Sequence, residues 1–93
     1  MAHFAKINDD NMVVEVIVIG NAQVDNLPFP ESEPLGQKFI ADCGIEGQWL
    51  QTSYNNNFRN VFAGLNMFFD ANLGEYGEFV TSTIEPDNDK QEN

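Results

Sequence analysis

The single histidine and the single cysteine are the first side chains to consider for proton transfer and nucleophilic attack. His3 is the single histidine, and a histidine acting as a general base needs a nucleophile or a carboxylate within hydrogen-bonding reach. Cys43 is the single cysteine, and no histidine or basic residue adjoins it to favour a thiolate. We therefore expect no catalytic residue: His3 is interpreted as a strand-edge residue, and Cys43 as a small interior hydrophobe.

Two short acidic runs are better explained as turns than as metal-binding sites. Asp9-Asp10-Asn11 and Asp87-Asn88-Asp89 supply oxygen ligands, but neither run has the spacing, glycine and terminal glutamate of a calcium-binding loop. A structural zinc site needs several cysteine or histidine ligands, and this chain has one of each. Asn and Asp are favoured in turns because their side chains bond to nearby backbone. The sequence predicts no metal and no cofactor.

One polar constellation lies in the second half of the chain, where Arg59 is surrounded by Asn55, Asn56, Asn57 and Asn60. An arginine in such a loop has two possible roles. Its guanidinium can hold the loop by donating hydrogen bonds to carbonyl groups, or it can meet a partner molecule. Both alternatives remain open from the sequence.

The charge of the chain limits its partners. Fifteen acidic and four basic residues in 93 give a formal net charge of −11. Nucleic acid and anionic membranes are unfavourable partners for such a protein, since both are bound through clustered Lys and Arg. The longest apolar run, Val16 to Ile19, is far too short for a membrane span, and the N-terminus lacks the pattern of a signal peptide. We expect a protein of the reducing cytoplasm, or one assembled there.

Turn and strand signals predict a hairpin at the N-terminus. His3–Ile7 and Met12–Ile19 are β-prone runs, and Asn8 to Asn11 between them are turn-formers. Strict alternation places Val13, Ile17 and Ile19 on one face of the second strand. Because the opposite face is also apolar, this strand is predicted to lie in the middle of a sheet with both faces covered.

The rest of the chain predicts a small α+β domain. Ser32 is a candidate N-cap for a helix over Glu33–Cys43, and Gln48–Tyr54 resembles a strand. Leu65–Phe69 and Glu75–Thr81 predict a second hairpin. The expected fold is an antiparallel sheet of about five strands with one short helix. It would span residues 1–84 as a single domain, followed by a polar acidic tail over 85–93.

Aromatic residues are concentrated in the second half of the chain. Such residues could form a stacking platform for a sugar or for single-stranded nucleic acid. Because Arg59 is the single basic residue among them, core packing is the better explanation, and Trp49 is predicted to be buried. The set comprises Trp49, Tyr54, Phe58, Phe62, Phe68, Phe69, Tyr76 and Phe79.

Five segments of the chain match a pattern seen in known proteins: Met1 to Asn8, Val13 to Ile19, Gly47 to Asn55, Phe58 to Gly64 and Phe68 to Asp70. Together they resemble a group of small proteins encoded by marine phages, especially cyanophages. The resemblance covers about residues 1–80, apart from the segment Asn21 to Glu46. Phe62 and Phe69 stand where that group commonly has Tyr, and Asn66-Met67 stands where Gly is often found.

The resemblance implies a structural role in a virion. It suggests a small decoration or knob-like protein on the outer capsid surface, with the major capsid protein or another virion protein as partner and self-association as a further possibility. A tail or tail-fibre module that contacts the host surface is the alternative. A host-modulating or DNA-mimicking protein is a weaker one, because the carboxylates lie in turns and a tail. The residues expected at the interface are Val13, Ile17, Ile19, Asn55, Asn56, Asn57 and Arg59.

Overall fold

The computed structural model describes residues 1–81 and shows a small α+β fold, which confirms the predicted class. The expected tail from residue 85 and the expected end of the domain at residue 84 lie outside the described residues. The elements in chain order are β1 (Ala2–Ile7), β2 (Val13–Ile19), a 3-10 turn (Asn21–Val24), α1 (Ser32–Asp42), β3 (Gln48–Thr52), β4 (Phe68–Asp70) and β5 (Glu78–Val80).

The main sheet has three antiparallel strands in the order β2-β1-β3. The central strand is therefore β1, and the prediction that Met12–Ile19 occupies the middle of a sheet is wrong. Four of the six β1 side chains are buried, two on each face, because β1 has a hydrogen-bonded neighbour on both edges and packed layers above and below. Strand β2 has only β1 beside it over most of its length.

A β-bulge in β2 changes the predicted arrangement of its side chains. Lys6 pairs with Glu15 but Ile7 pairs with Val13, so Val14 is an extra residue on the β2 side. An extra residue reverses the face on which the preceding side chains lie. Val13 therefore packs on the opposite face of the sheet from Ile17 and Ile19, contrary to the alternation read from the sequence.

The first face of the sheet is covered by α1 and the 3-10 turn. Phe4 at the centre of β1 is fully buried there, against Ile40 of the helix and Val24 of the turn. Trp49 of β3 belongs to the same core and is only 4% exposed, which confirms the prediction that it is buried. Gly36 lies directly over the ring of Phe4, so the helix approaches the sheet at a position where only glycine fits.

The second face is covered by the β4–β5 hairpin and by the loop that precedes it. Its core is formed by Ala5, Ile7, Val13, Ala63 and Phe79. The five strands therefore form two sheets, where one had been expected. The two sheets meet at Val13, whose N–H donates to Met67 C=O (2.7 Å) and whose C=O accepts from Asn66 N–H (3.0 Å). Strands β4 and β5 are shorter than predicted, with three residues each.

Both ends of the helix differ by one residue from the prediction. Glu31 is the N-cap, and the predicted N-cap Ser32 is the first helical residue, with its hydroxyl donating to Gln51 Oε1 (2.7 Å). The helix ends at Asp42, so Cys43 is the C-cap and its side chain is exposed. The interior position expected for Cys43 is therefore wrong, because the apolar face of the helix ends before it. Within residues 1–81, the helices are too short and too polar to cross a bilayer.

Candidate functional site

Arg59 lies at the centre of the most extensive polar network in residues 1–81. Its guanidinium faces both carboxylate oxygens of Glu33, with Nη1 bonded to Oε2 and Nη2 donating to Oε1 (3.1 Å). Nη1 also donates to the C=O of Gln51 (2.9 Å), and Nε donates to the C=O of Tyr76 (3.0 Å). This Arg59 cluster therefore joins the start of α1, strand β3 and the β4–β5 hairpin.

The Arg59 cluster is largely shielded from solvent by aromatic rings. The side chains of Arg59 and Glu33 are only 7% and 15% exposed. The guanidinium carbon lies 4.9 Å from the ring centre of Phe29 and 5.2 Å from that of Phe69. Phe29 also stacks on Phe58, with ring centres 4.0 Å apart. Four of the five N–H groups of this guanidinium are hydrogen-bonded within the fold, and a cation enclosed in this way stabilises loop packing.

The same network closes the outer edge of β3. An edge strand presents unpaired N–H and C=O groups that can recruit another strand. Gln51 turns its N–H outward to Glu33 Oε2 (2.8 Å) and its C=O outward to Arg59. Gln37 of α1 donates to the C=O of Trp49 (2.7 Å). Glu33, Gln37 and Arg59 therefore satisfy main-chain groups on the outer edge of β3 and shield that edge of the sheet.

His3 belongs to a second cluster, which is aromatic. Its ring stacks on Tyr54, with centres 5.3 Å apart, and meets the edge of Phe62 at 5.5 Å. Burial lowers the pKa of His3 below its usual value, and the positive N-terminus lowers it further. The residue lies in the central strand rather than at an edge, which corrects the sequence interpretation. Aromatic neighbours cannot accept a proton from it, so this contact is a packing contact.

The asparagine loop beside this cluster is exposed but internally bonded. Asn56 adopts a left-handed backbone conformation (φ 60°), and its Oδ1 accepts from Phe62 N–H (2.6 Å). Asn57 N–H donates to Ser53 Oγ (2.8 Å). Asn55, Asn56 and Asn57 are all exposed, so the loop is a surface available for contact.

Two shallow cavities lie in the part of the chain that the structure describes. One, of about 240 Å³, is lined by the end of α1 and by Trp49 and Leu50 of β3; the other, of about 220 Å³, is lined by the first turn and by β4. Both are smaller than the roughly 300–1,000 Å³ typical of small-molecule sites. Asp10 and Asp70 line the second cavity, yet residues 1–81 contain no group of three or more metal-ligating His, Cys, Asp or Glu side chains.

The expected interface residues fall into two groups in the structure. Val13 is fully buried, Ile19 is 8% exposed and Ile17 packs against the first core. Val13 and Ile19 therefore present little surface for docking, because the two cores enclose them on opposite faces of β2, and the expected interface role of the three residues stays a prediction. The Arg59 side chain is also enclosed. The surface residues of the set are therefore those of the asparagine loop.

Sequence reasoning found Arg59 but missed its partner. Glu33 looked like an ordinary acidic residue in the first turn of a helix, where a carboxylate favourably faces the helix dipole. Glu33 precedes Arg59 by 26 residues. The separations of Gln51 and Phe29 from Arg59 along the chain likewise match no helix or strand period. No local signal in the sequence connects these residues, because only the packing of α1 on β3 brings them together.

Comparison of the chain with family models, with curated protein sequences and with solved structures found no match.

Proposed function

We propose that this chain is a small structural protein of a phage virion, most specifically a decoration protein on the outside of the head. The proposal combines the resemblance of the sequence to marine phage proteins with the character of the surface. The observation that carries it is the enclosure of the Arg59 cluster. The most elaborate polar network among the described residues stabilises the fold, and no equivalent network is left to perform a reaction.

The charge of the chain supports a position on the outside of the particle. A net charge of −11 makes a location beside packaged DNA unfavourable, because phosphates and carboxylates repel each other. On the outer surface the same charge contributes to the solubility of the assembled particle. Within this proposal the protein acts by making contacts with the major capsid protein or with a neighbouring virion protein, without a cofactor.

A tail or tail-fibre module is the second candidate, and one specific observation favours it. The exposed asparagine loop lies next to the ring of Tyr54, which is 65% exposed. An aromatic ring flanked by amide side chains is suited to contact with a polar host surface, since it offers both an apolar face and hydrogen-bonding groups. In this alternative the asparagine loop is the contact surface.

Localisation on purified particles tests the proposal. Antibodies raised against the recombinant chain are applied to intact particles, and gold-labelled secondary antibodies are counted by electron microscopy on heads and on tails. Labelling over the whole head surface is the expected result. Labelling confined to the tail tip supports the second candidate instead. Absence of the chain from purified particles, established by mass spectrometry, contradicts both. Free tails separated from heads on a density gradient are the matched control for tail labelling.

A further inference from the structure

The two edges of the main sheet differ in how they are closed. The outer edge of β3 is satisfied by Glu33, Gln37 and Arg59. Among residues 1–81, the outer edge of β2 is covered only at its start, where the main chain of Asn11 and Val13 bonds to residues 66–69. Beyond the bulge at Val14, no described residue continues this pairing. Within the described part of the chain, the sheet thus has one shielded edge and one open edge.

The hydrogen-bond pattern shows which groups of β2 are unpaired. Gln51 directs its N–H and C=O away from β1, so its partner Phe4 must bond to β2 on the other side. Phe4 pairs with Ile17, and the alternation then turns the main chain of Val16 and Val18 outward. In residues 1–81, no hydrogen bond from outside the β1–β2 ladder reaches the main chain of either valine.

The side chains along this edge indicate which residue types an added strand would need on each of its faces. Val14 and Val18 are 43% and 47% exposed, which is high for valine on a folded protein. Glu15 is also exposed, and its carboxylate forms no ion pair with its cross-strand neighbour Lys6. Val16 and Val18 lie on one face of the edge and Glu15 on the other. An added strand would therefore meet valines on one face and a carboxylate on the other.

We propose that the open edge of β2 binds an extended segment of a partner protein in which apolar and basic residues alternate. The partner's main chain bonds to Val16 and Val18 and adds a fourth strand to the sheet. Its apolar side chains pack beside the valines, while a Lys or Arg lies opposite Glu15. This inference rests on the proposed function, since it names the chemistry of the contact that the chain would make on the particle.

Charge disfavours a second copy of the chain as the occupant. Antiparallel pairing of two β2 strands about Val16 would place both Glu15 side chains on the same face, about 8 Å apart from the spacing of strands and residues. Each copy also carries a net charge of −11. A charged residue on an edge strand is a recognised protection against self-pairing, and here it still admits a basic strand. The same carboxylate therefore discriminates between the two occupants.

Amide hydrogen exchange of the full-length chain tests whether the edge is open. The amides of Glu15 and Ile17 bond to β1 and are expected to exchange slowly, whereas those of Val16 and Val18 are expected to exchange much faster. Protection of Val16 and Val18 at micromolar concentration would mean that the chain covers its own edge, and this result overturns the proposal. Protection that appears only as the concentration rises would identify a second copy as the occupant and also overturns it.

Binding is measured with an acetylated and amidated peptide of sequence Thr-Val-Lys-Val-Arg-Val-Thr, titrated into the labelled full-length chain and followed by NMR. Shift changes and new amide protection are expected along Val14 to Val18. A peptide with Glu in place of Lys and Arg is the charge control, and one with N-methylated valines removes the main-chain donors. Both controls are expected to bind at least tenfold more weakly. Equal binding of all three peptides, or none by the first at millimolar concentration, contradicts the inference.

Variants of the chain separate the two parts of the contact. Val18→Pro removes an outward N–H that the fold does not use, and is expected to weaken peptide binding about tenfold or more, while Val18→Thr keeps the donor and binds as the parent does. Glu15→Gln is expected to weaken binding about two- to fivefold and to reduce its salt dependence. Unchanged binding by Val18→Pro refutes the added strand. If that variant does not fold, the N-methylated peptide makes the same test on the wild-type chain. If the chain binds the peptide at the edge of β2 but is absent from purified particles, the proposed function is refuted and the edge contact is retained.

Discussion

Replacement of Arg59 by methionine is expected to destabilise the fold strongly. Met keeps the length and apolar stem of the side chain but removes the pair with Glu33 and the bonds to the carbonyls of Gln51 and Tyr76. The side chains of the pair are 7% and 15% exposed, so water replaces little of what is lost. Removing one partner of a buried ion pair costs about 3–5 kcal/mol, because the other charge remains without compensation.

That loss is large for a chain of this size. Domains are stabilised by about 0.05–0.15 kcal/mol per residue, which is roughly 5–14 kcal/mol for 93 residues. The assay is urea unfolding at equilibrium, followed by the fluorescence of Trp49, the single tryptophan, which is buried in the first core. With a slope of about 1 kcal/mol per molar urea, the midpoint is expected to fall by about 3 M or more.

A matched control uses the same substitution at an exposed ion pair. Lys38 pairs with Asp42 on the surface of α1, with side chains 73% and 62% exposed. Lys38→Met should therefore leave the unfolding midpoint almost unchanged. A double-mutant cycle with Glu33→Gln and Arg59→Met should give a coupling energy of about 1–3 kcal/mol. The reasoning is refuted if Arg59→Met lies within about 1 kcal/mol of Lys38→Met, or if the two cluster substitutions are additive.

Two further predictions concern the cores. Gly36→Ala should destabilise the fold by about 1–3 kcal/mol despite a gain in helix propensity of about 1 kcal/mol, because the added Cβ overlaps the ring of Phe4 and comes within 2.5 Å of its Cε1. The control is Gly20→Ala, whose added Cβ has no atom within 4 Å, and equal unfolding midpoints for the two variants would contradict the packing argument. His3 should titrate by NMR with a midpoint below 6.5, because burial lowers its pKa in the folded state. The contribution of the neutral His3 ring to stability is therefore fully present above pH 6.5 and is lost as the pH falls through the folded pKa. A titration midpoint at or above 6.5 would contradict the packing of the ring.

The parts of the fold that the sequence determines are local. Asn8 to Asn11 and the β-branched run after them specify the first hairpin, because turn residues and strand formers act on backbone a few residues away. The spacing of apolar residues predicts α1 to within one residue at each end, and the size of Trp49 predicts its burial. Each of these predictions concerns interactions within one element or between an element and the nearest turn.

Tertiary structure alone decides how these elements are combined. Arg59 could not be assigned to Glu33 from the sequence, because 26 residues separate them and the pair forms only when α1 packs on β3. The bulge at Val14 moves Val13 to the face opposite Ile17, since Val13 must bond to the segment that leads into β4 while the rest of β2 bonds to β1. The open edge of β2 has the same origin: β3 pairs with β1 and leaves β2 at the outside. Such choices depend on the free energy of packing distant segments together, which no local pattern of residues contains.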